Sequence, residues 1–373
     1  MKKIFASALV FDDGKSGISN YIENTLFNLA QNHKVYVAIL NKDIDNFTRR
    51  HKNLHFVPFP DILGNTLLNL LFHMFILPFF VLNRKYDFMF LPAANRRLML
   101  FYPIYTIVTF HDLSQFNVQK KYDFLRMFYI KYFIPMLLKP IKRIIAVSNN
   151  TKLDLQKHFG IKSKRIIVNY NGVDTTLFNQ KELNFSKLKS DLGLNKEYFL
   201  YVARIEYPGK NHLNLIKAYE ALPQTIKNKY DLVLVGSSRE RSQVVFDYIE
   251  NSKDKEHIKV LGFLKNEELP CIYENAKLFV FPSFYEGFGI PLIEAMSVGV
   301  PTLCASNSSL LEIGENVSKF FDEYNPLSIK NSIVEVLEDE KLQVRMVENG
   351  LKEIKKYDWR CHANKIIELY RAR

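Results

Sequence analysis

Cysteine is scarce in this 373-residue chain, and its three copies, Cys271, Cys304 and Cys361, stand too far apart for a disulfide framework or a short-spaced metal motif. The apolar stretch at the start is brief and ends at Asp12-Asp13, unlike a secretory leader. Both absences point to a reducing, cytoplasmic setting. Long apolar runs are missing as well. Leu67–Leu82 is almost wholly apolar, but it falls short of the roughly 20 residues a bilayer span needs, and Asn69, His73 and Pro78 interrupt it. A core helix, or one lying in an interface, is the expectation there. No short repeat, low-complexity tract or nucleic-acid recognition motif occurs, so nucleic acid is not an expected partner. No Asp-x-Asp pair marks a metal–diphosphate site at a strand end; Asp43-Ile44-Asp45 has that spacing but sits in a loop, and no metal is expected.

Acidic residues are few in one half only. Residues 1–177 hold 24 Lys and Arg against 11 Asp and Glu, whereas residues 178–373 hold 27 against 28, so the first half carries the whole positive excess. Within it Lys120, Lys121, Arg126, Lys131, Lys139, Lys142 and Arg143 are interleaved with Tyr122, Phe124, Phe128, Tyr129, Tyr132 and Phe133. A basic and aromatic mixture of this kind suits an anionic membrane surface.

Strand-like runs alternate with helix-like stretches along the whole chain. The first half reads as strands at Ile4–Val10, Lys34–Leu40, Tyr86–Leu91, Ile104–Phe110, Ile141–Val147 and Arg165–Asn169. The second half repeats the plan at Tyr198–Ala203, Asp231–Gly236, Ile258–Gly262, Lys277–Phe281 and Thr302–Ala305. The alternation implies an α/β protein of two doubly wound parallel sheets. We place one domain over 1–174 and a second over 175–356, with Gly172 turning the chain out of the first.

Four strand ends carry chemistry. After Leu278–Phe281 comes Pro282-Ser283-Phe284-Tyr285-Glu286-Gly287-Phe288-Gly289-Ile290-Pro291-Leu292-Ile293-Glu294, a glycine-broken turn entering a helix. Gly287 and Gly289 let backbone approach a ligand closely, and a helix start favours an anion such as a diphosphate. Glu286 and Glu294, placed before the helix and one turn into it, are poor phosphate partners but good acceptors for sugar hydroxyls. After Tyr198–Ala203, Arg204 and Lys210 flank a Pro208-Gly209 turn, two cations suited to phosphate oxygens. After Ile104–Phe110 stands His111-Asp112, and after Ile4–Val10 stands the turn-rich Asp12–Ile18 with Gly14 and Gly17.

Taken in order with Gly262-Phe263-Leu264 and Gly299-Val300-Pro301, these landmarks resemble the group 1 retaining glycosyltransferases of GT-B fold over nearly the whole chain. The resemblance implies two Rossmann-like domains facing a cleft, with a C-terminal helix, about 357–373, crossing back to the first domain on Trp359. It implies that Glu294 binds the ribose of a nucleotide diphosphate sugar, that Glu286 and His111 reach the transferred sugar, and that Arg204 and Lys210 hold the diphosphate. Gly17 and the backbone of Gly287, Phe288, Gly289 and Ile290 would complete the donor site, with Gly14 and Asp112 on the acceptor side. The family usually leaves four residues between the Arg and the Lys; five stand here, the extra one in the Pro208-Gly209 turn.

The activity implied is transfer of a hexosyl group, with retention and without metal or cofactor, to a hydroxyl of a growing lipid-linked surface glycan. The implied location is the inner face of the cell membrane, as a peripheral protein. Two other classes share the architecture: a sugar-nucleotide-processing enzyme such as an epimerase, and a non-catalytic scaffold of a polysaccharide assembly complex. A scaffold would tolerate loss of the Glu pair, which is present. A phosphorylase would need a pyridoxal-phosphate lysine, for which no signature appears.

Overall fold

The structure, a computed structural model, describes all residues except 13, 119–123, 179–184 and 240. It comprises two compact units, Met1–Gly172 with Asp358–Arg373, and Val173–Tyr357. The first is built on β1 (Lys3–Ser7), β2 (Lys34–Leu40), β3 (Leu54–Phe59), β4 (Phe88–Leu91), β5 (Thr106–Phe110), β6 (Arg143–Ala146) and β7 (Ile166–Val168). They lie in the order β3-β2-β1-β4-β5-β6-β7, every neighbouring pair parallel. Phe5 is level with Tyr36 on one side and Met89 on the other. Every residue of β4 and β5 is buried, as continuous apolar strands covered on both faces must be.

The second unit holds β8 (Glu197–Val202), β9 (Tyr230–Val235), β10 (Ile258–Gly262), β11 (Leu278–Phe281), β12 (Thr302–Ala305) and β13 (Lys319–Phe321). Their order is β10-β9-β8-β11-β12-β13, again parallel throughout. Chain order reverses between β1 and β4 in one sheet and between β8 and β11 in the other. Loops leaving the carboxyl ends of two such strands diverge, and the crevice they leave is where open α/β sheets bind ligands.

Two strands escape the sequence reading, and both lie at sheet edges. β3 contains Pro58, which lacks the N–H of an interior ladder but is tolerated at an edge. β13 is only three residues long.

The apolar run expected as a core or interfacial helix is helical across 66–82. Thr66–Leu71 and Leu77–Leu82 are α-helical, and Phe72–Ile76 between them forms a π turn. Residues 124–138 repeat that build, with a π turn at Tyr129–Phe133. In each case a proline, Pro78 or Pro135, follows the π turn. Its ring would meet the carbonyl four residues back and it has no N–H to donate, so the helix widens just ahead of it. Among the described residues no helix is long and apolar enough to cross a membrane.

The last helix, Trp359–Arg371, packs on Gly17–Ala30 within the first unit. Trp359 is buried against Tyr21, their rings 5.7 Å apart. Gly172 is required by this packing, since a Cβ there would come within 2.4 Å of the Trp359 backbone nitrogen.

Candidate active site

In the second unit the loops after β8 and β11 flank the sheet's switch point and are tied to each other across it. Asn211, held at φ +56 at the start of helix His212–Glu220, fastens them. Its side-chain amide donates to the Pro282 carbonyl at 2.9 Å and to that of Glu323 at 2.8 Å. The Phe284 N–H donates to the Gly209 carbonyl at 3.1 Å. Tyr201, on β8, donates to the Lys210 carbonyl at 2.8 Å and bonds the Ser283 hydroxyl at 3.0 Å.

These anchors bring Lys210 and Glu286 together. Lys210 Nζ lies 2.6 Å from Glu286 Oε1, both side chains largely covered. The sequence-level reading gives these residues different parts of one ligand, diphosphate and sugar. Their pairing places both at a single point and leaves each charge balanced in the absence of ligand. Arg204 sits beside them on the same loop, its guanidinium 3.3 Å from the Glu206 carboxylate.

The turn after β11 is held from below by residues that sequence reasoning missed. Ser308 Oγ accepts the Glu286 N–H at 3.0 Å. Ser309 Oγ bonds the Glu286 and Phe288 carbonyls, both at 2.9 Å. Asn307 adds a bond to the Ser283 carbonyl. Ser308 takes φ +44, a conformation uncommon outside glycine. No linear pattern announces this strut, because its partners lie more than 20 residues away.

Gly289 has φ +98, and a Cβ there would fall 2.9 Å from Leu310 Cδ2. It is the N-cap of helix Ile290–Ser297 and brings no capping side chain. Pro291 has no N–H and the Leu292 N–H donates to the Gly289 carbonyl at 3.0 Å, so within the first turn it is the Ile290 N–H that is left for an incoming acceptor. Gly287 is buried, Ile290 is half-buried, and the Phe288 ring is buried against Tyr357 at 5.7 Å. Phe288 thus offers a ligand its backbone rather than its ring.

Glu294 lies on the buried side of that helix, 7 % exposed. Tyr273, on the short helix Leu269–Glu274, donates to its Oε2 at 2.9 Å. Burial raises the Glu294 carboxyl to about 7, and the Tyr273 hydrogen bond only partly offsets this. Tyr273 was not singled out by the sequence, where nothing separates it from a core aromatic. Gly236 was missed too. At φ +149, its hypothetical Cβ would lie 2.1 Å from the Ala203 carbonyl oxygen, so only glycine lets the ends of β8 and β9 close up behind Arg204.

The first unit carries its expected residues beyond the ends of β1 and β5. Asp12 organises the loop after β1: its Oδ1 accepts from Ser16 Oγ at 2.9 Å and Ser19 Oγ at 2.6 Å. Gly14 takes φ +75 in open space. Gly17 is not in the loop but opens helix Gly17–Ala30, which Ser16 caps.

His111 is buried, and its Nε2 donates to the Pro92 carbonyl at 2.6 Å. That bond fixes the proton on Nε2 and leaves Nδ1 as an acceptor. Burial holds the imidazole at about 4, hence neutral near pH 7. Its ring stands edge-on to Tyr21, centroids 4.6 Å apart. Asp112 Oδ1 accepts from the Ser114 N–H and hydroxyl, capping a short turn.

Of the basic and aromatic stretch expected at a membrane surface, Lys120, Lys121 and Tyr122 lie outside the described residues. Phe124, Phe128, Tyr132 and Phe133 are exposed. The Asp43-Ile44-Asp45 pair falls at a 3-10 turn after β2, with Asp43 buried. Among the described residues no group of three or more His, Cys, Asp or Glu is placed to hold a metal.

Known proteins resemble this chain in sequence and in fold. Residues 184–353 match the family described as Glycosyl transferases group 1, and residues 15–177 match Glycosyltransferase Family 4. The O-antigen chain mannosyltransferase B of Escherichia coli is 29 % identical over 266 residues, 71 % of this chain and 70 % of that protein. Sucrose-phosphate synthase of Thermosynechococcus elongatus superposes over 100 % of this chain and 99 % of its own, with a TM-score of 0.81 at 17 % identity. HepE of Anabaena, solved with UDP-glucose, superposes over 100 % of both chains with a TM-score of 0.76 at 16 % identity. The chain therefore has the GT-B fold, its first half similar to Family 4 glycosyltransferases and its second to group 1 glycosyltransferases.

Proposed function

We propose that this protein transfers a hexosyl group from a nucleotide diphosphate sugar to a hydroxyl of a growing, lipid-linked surface polysaccharide, with retention of configuration. The observation that carries the reading is the Lys210–Glu286 pair, made by the loops after β8 and β11, with the uncapped helix start at Gly289 following Glu286 and Glu294 lying one turn into that helix. In this proposal the diphosphate is bound by Arg204, Lys210 and the backbone around Gly287–Ile290. Negative charge grows on the leaving diphosphate as the glycosidic bond breaks, so these groups bind the transition state more tightly than the ground state. No metal or cofactor is assigned to the step.

Glu294 accepts from the ribose hydroxyls, and Glu286 from the transferred sugar. Donor binding draws Lys210 from the Glu286 carboxylate toward phosphate and frees that carboxylate for the sugar. The leaving phosphate assists removal of the acceptor proton. His111, neutral and fixed by Pro92, serves as a hydrogen-bonding partner rather than as an acid. Similarity to the O-antigen chain mannosyltransferase B supports a mannosyl donor as the first to test. The basic, aromatic first unit supports peripheral attachment to an anionic membrane face.

The experiment is titration with nucleotide diphosphate sugars, followed by release of nucleotide diphosphate in the presence of a glycan acceptor. Donor binding with acceptor-dependent release supports a transferase. Binding without release favours a scaffold, and a changed sugar still on its nucleotide favours an epimerase.

A further inference from the structure

Glu294 is a buried carboxyl with one hydrogen-bond partner and no cation. Among the described residues its side chain meets only the Tyr273 hydroxyl, which donates to Oε2 at 2.9 Å. The other oxygen, Oε1, makes no bond and keeps some surface of its own. Burying a carboxylate on so little support is costly, and burial accordingly raises this carboxyl to about 7. Packing alone gives no reason for an acid at this position. An open Oε1 on an otherwise covered side chain gives one, an incoming hydrogen-bond donor.

The hydroxyl that meets Glu294 is itself held in place. Tyr273 is fully buried on helix Leu269–Glu274, which Tyr198 of β8 pins by donating to the Ile272 carbonyl at 2.8 Å. Its ring packs against Phe279 of β11 at 5.5 Å and against Phe178 at 5.9 Å, centroid to centroid. Burial, with the Glu294 charge beside it, holds the phenol well above 10, so it stays a donor. Among the described residues the hydroxyl makes no second bond. A core aromatic needs no hydroxyl, and a buried one must find a partner. Here the partner is a residue of the candidate donor site.

We propose that Tyr273 is a positioning residue for donor recognition: by holding Oε2 it fixes the carboxylate so that Glu294 accepts both hydroxyls of the ribose cis-diol, and the site thereby selects ribonucleotide over 2′-deoxyribonucleotide donors. The proposal rests on the reading that Glu294 meets the ribose, and it adds the residue that makes that contact selective. A glutamate carboxyl turns broadly about its last bond. Tying one oxygen sets its plane, and of the roughly four lone-pair sites a carboxylate offers, Tyr273 occupies one and leaves the open edge for the diol. A carboxylate free to turn follows whichever hydroxyl remains and tolerates the loss of the other. A fixed one is left with an unmet acceptor in a covered site, and such sites reject the analogue.

The test is calorimetric titration of the full chain with UDP, 2′-deoxy-UDP, GDP and 2′-deoxy-GDP. For the base that binds, the wild type should favour the ribonucleotide by about tenfold or more. Tyr273→Phe should lower that ratio to roughly threefold or less, by weakening the ribonucleotide and sparing its deoxy partner. Glu294→Ala should abolish the preference, and adding Tyr273→Phe to it should change nothing further, because no carboxylate remains to be positioned. A hydroxyl that only supports the fold would weaken both members of a pair alike, and would do so in the Glu294→Ala background too. Tyr273→Phe keeps the ring packing and lets Glu294 take a proton rather than stand as an unpaired charge. If it nevertheless fails to fold, Tyr273→His, whose N–H donates from a shorter ring, should lower the ratio several-fold. An unchanged ratio in the Tyr273 variants, or equal losses for the two nucleotides of a pair, overturns the proposal; a ratio that still collapses in Glu294→Ala then leaves the donor reading standing. A ratio untouched by Glu294→Ala, or a wild type that binds neither ribonucleotide or shows no preference, overturns both the proposal and the ribose role of Glu294.

Discussion

Lys210 and Glu286, brought from the loops after two neighbouring strands, meet at 2.6 Å with both side chains largely covered. The pair holds the crevice in a neutral state, and binding a diphosphate should exchange one partner for another. Glu286→Ala should cut turnover at least a hundredfold while the affinity for free nucleotide diphosphate stays within a few-fold or rises, because Lys210 is released to phosphate. Lys210→Ala should instead weaken nucleotide diphosphate binding by about 1–3 kcal/mol, the usual cost of a lost charged hydrogen bond. Titration of both variants separates the roles, and equal loss of nucleotide diphosphate affinity in the two would mark Glu286 as a structural loop residue.

Glu294 supplies a pH dependence with a definite sign. Its carboxyl lies at about 7 in the fold, above the ordinary 4.5, because burial penalises the charge. The folded chain therefore holds this proton more firmly than the unfolded one. Its contribution to stability is complete below about pH 4.5 and is lost as pH rises through 7, amounting to about 3 kcal/mol at most. Ribose hydroxyls, by contrast, need the carboxylate. Donor affinity should rise between pH 5.5 and 7.5, and Glu294→Gln should flatten both the affinity and the stability profiles. Parallel denaturation and binding curves across that range provide the measurement; a wild-type profile as flat as the variant's would remove Glu294 from the donor site.

The sequence made the central strands legible because an all-apolar run with turns at both ends has few other uses. It also made Glu286, Glu294, Arg204 and Lys210 legible, since each stands just beyond such a run. What it hid has a common cause. The Tyr273 bond to Glu294, the Ser308-Ser309 strut and the pairing of Lys210 with Glu286 all depend on through-space register between distant loops. Gly17 looked like part of the loop, but Ser16, held by Asp12, ends that loop early by capping the helix. The buried Asn69 and His73 interrupt an apolar run in the sequence. In the fold they mark its inner face, where His73 bonds Ser7 at 2.8 Å and Asn69 holds Arg97.

Two glycines should respond unequally to alanine. Gly14→Ala meets open space, so its cost is the positive φ alone, about 1–2 kcal/mol. Gly236→Ala adds a Cβ 2.1 Å from the Ala203 carbonyl oxygen and must push β8 and β9 apart just behind Arg204. It should be the more destabilising of the two and should impair donor binding as well. Chemical denaturation of both variants, with nucleotide titration of whatever folds, is the check. Comparable small losses would show that the Ala203–Gly236 contact gives way easily.

His362 ties the last helix to the first unit, and acid should loosen that tie. Its Nδ1 donates to the Tyr170 carbonyl at 2.8 Å, so Nε2 accepts from the Tyr21 hydroxyl at 2.9 Å, and Tyr21 in turn bonds Thr109 at 2.8 Å. Protonation would leave Nε2 and the Tyr21 hydroxyl facing each other as donors unless that hydroxyl turns its proton from His362 toward Thr109. Burial therefore holds His362 at about 4, below its ordinary 6.5, and neighbouring His111 stands at about 4 for the same reason. A base held below its unfolded value gives stability that is complete above about pH 6.5 and is lost as pH falls through 4. Each histidine can contribute about 3 kcal/mol to that loss. Unfolding free energy should thus fall as acidity increases across this window, while His362→Gln should be less stable at pH 7.5 but lose less on acidification. Amide exchange in Trp359–Arg371 should rise in step with the wild-type loss. Unchanged protection of that helix down to pH 4 would show that packing of Trp359 over Gly172, rather than the His362 network, holds it in place.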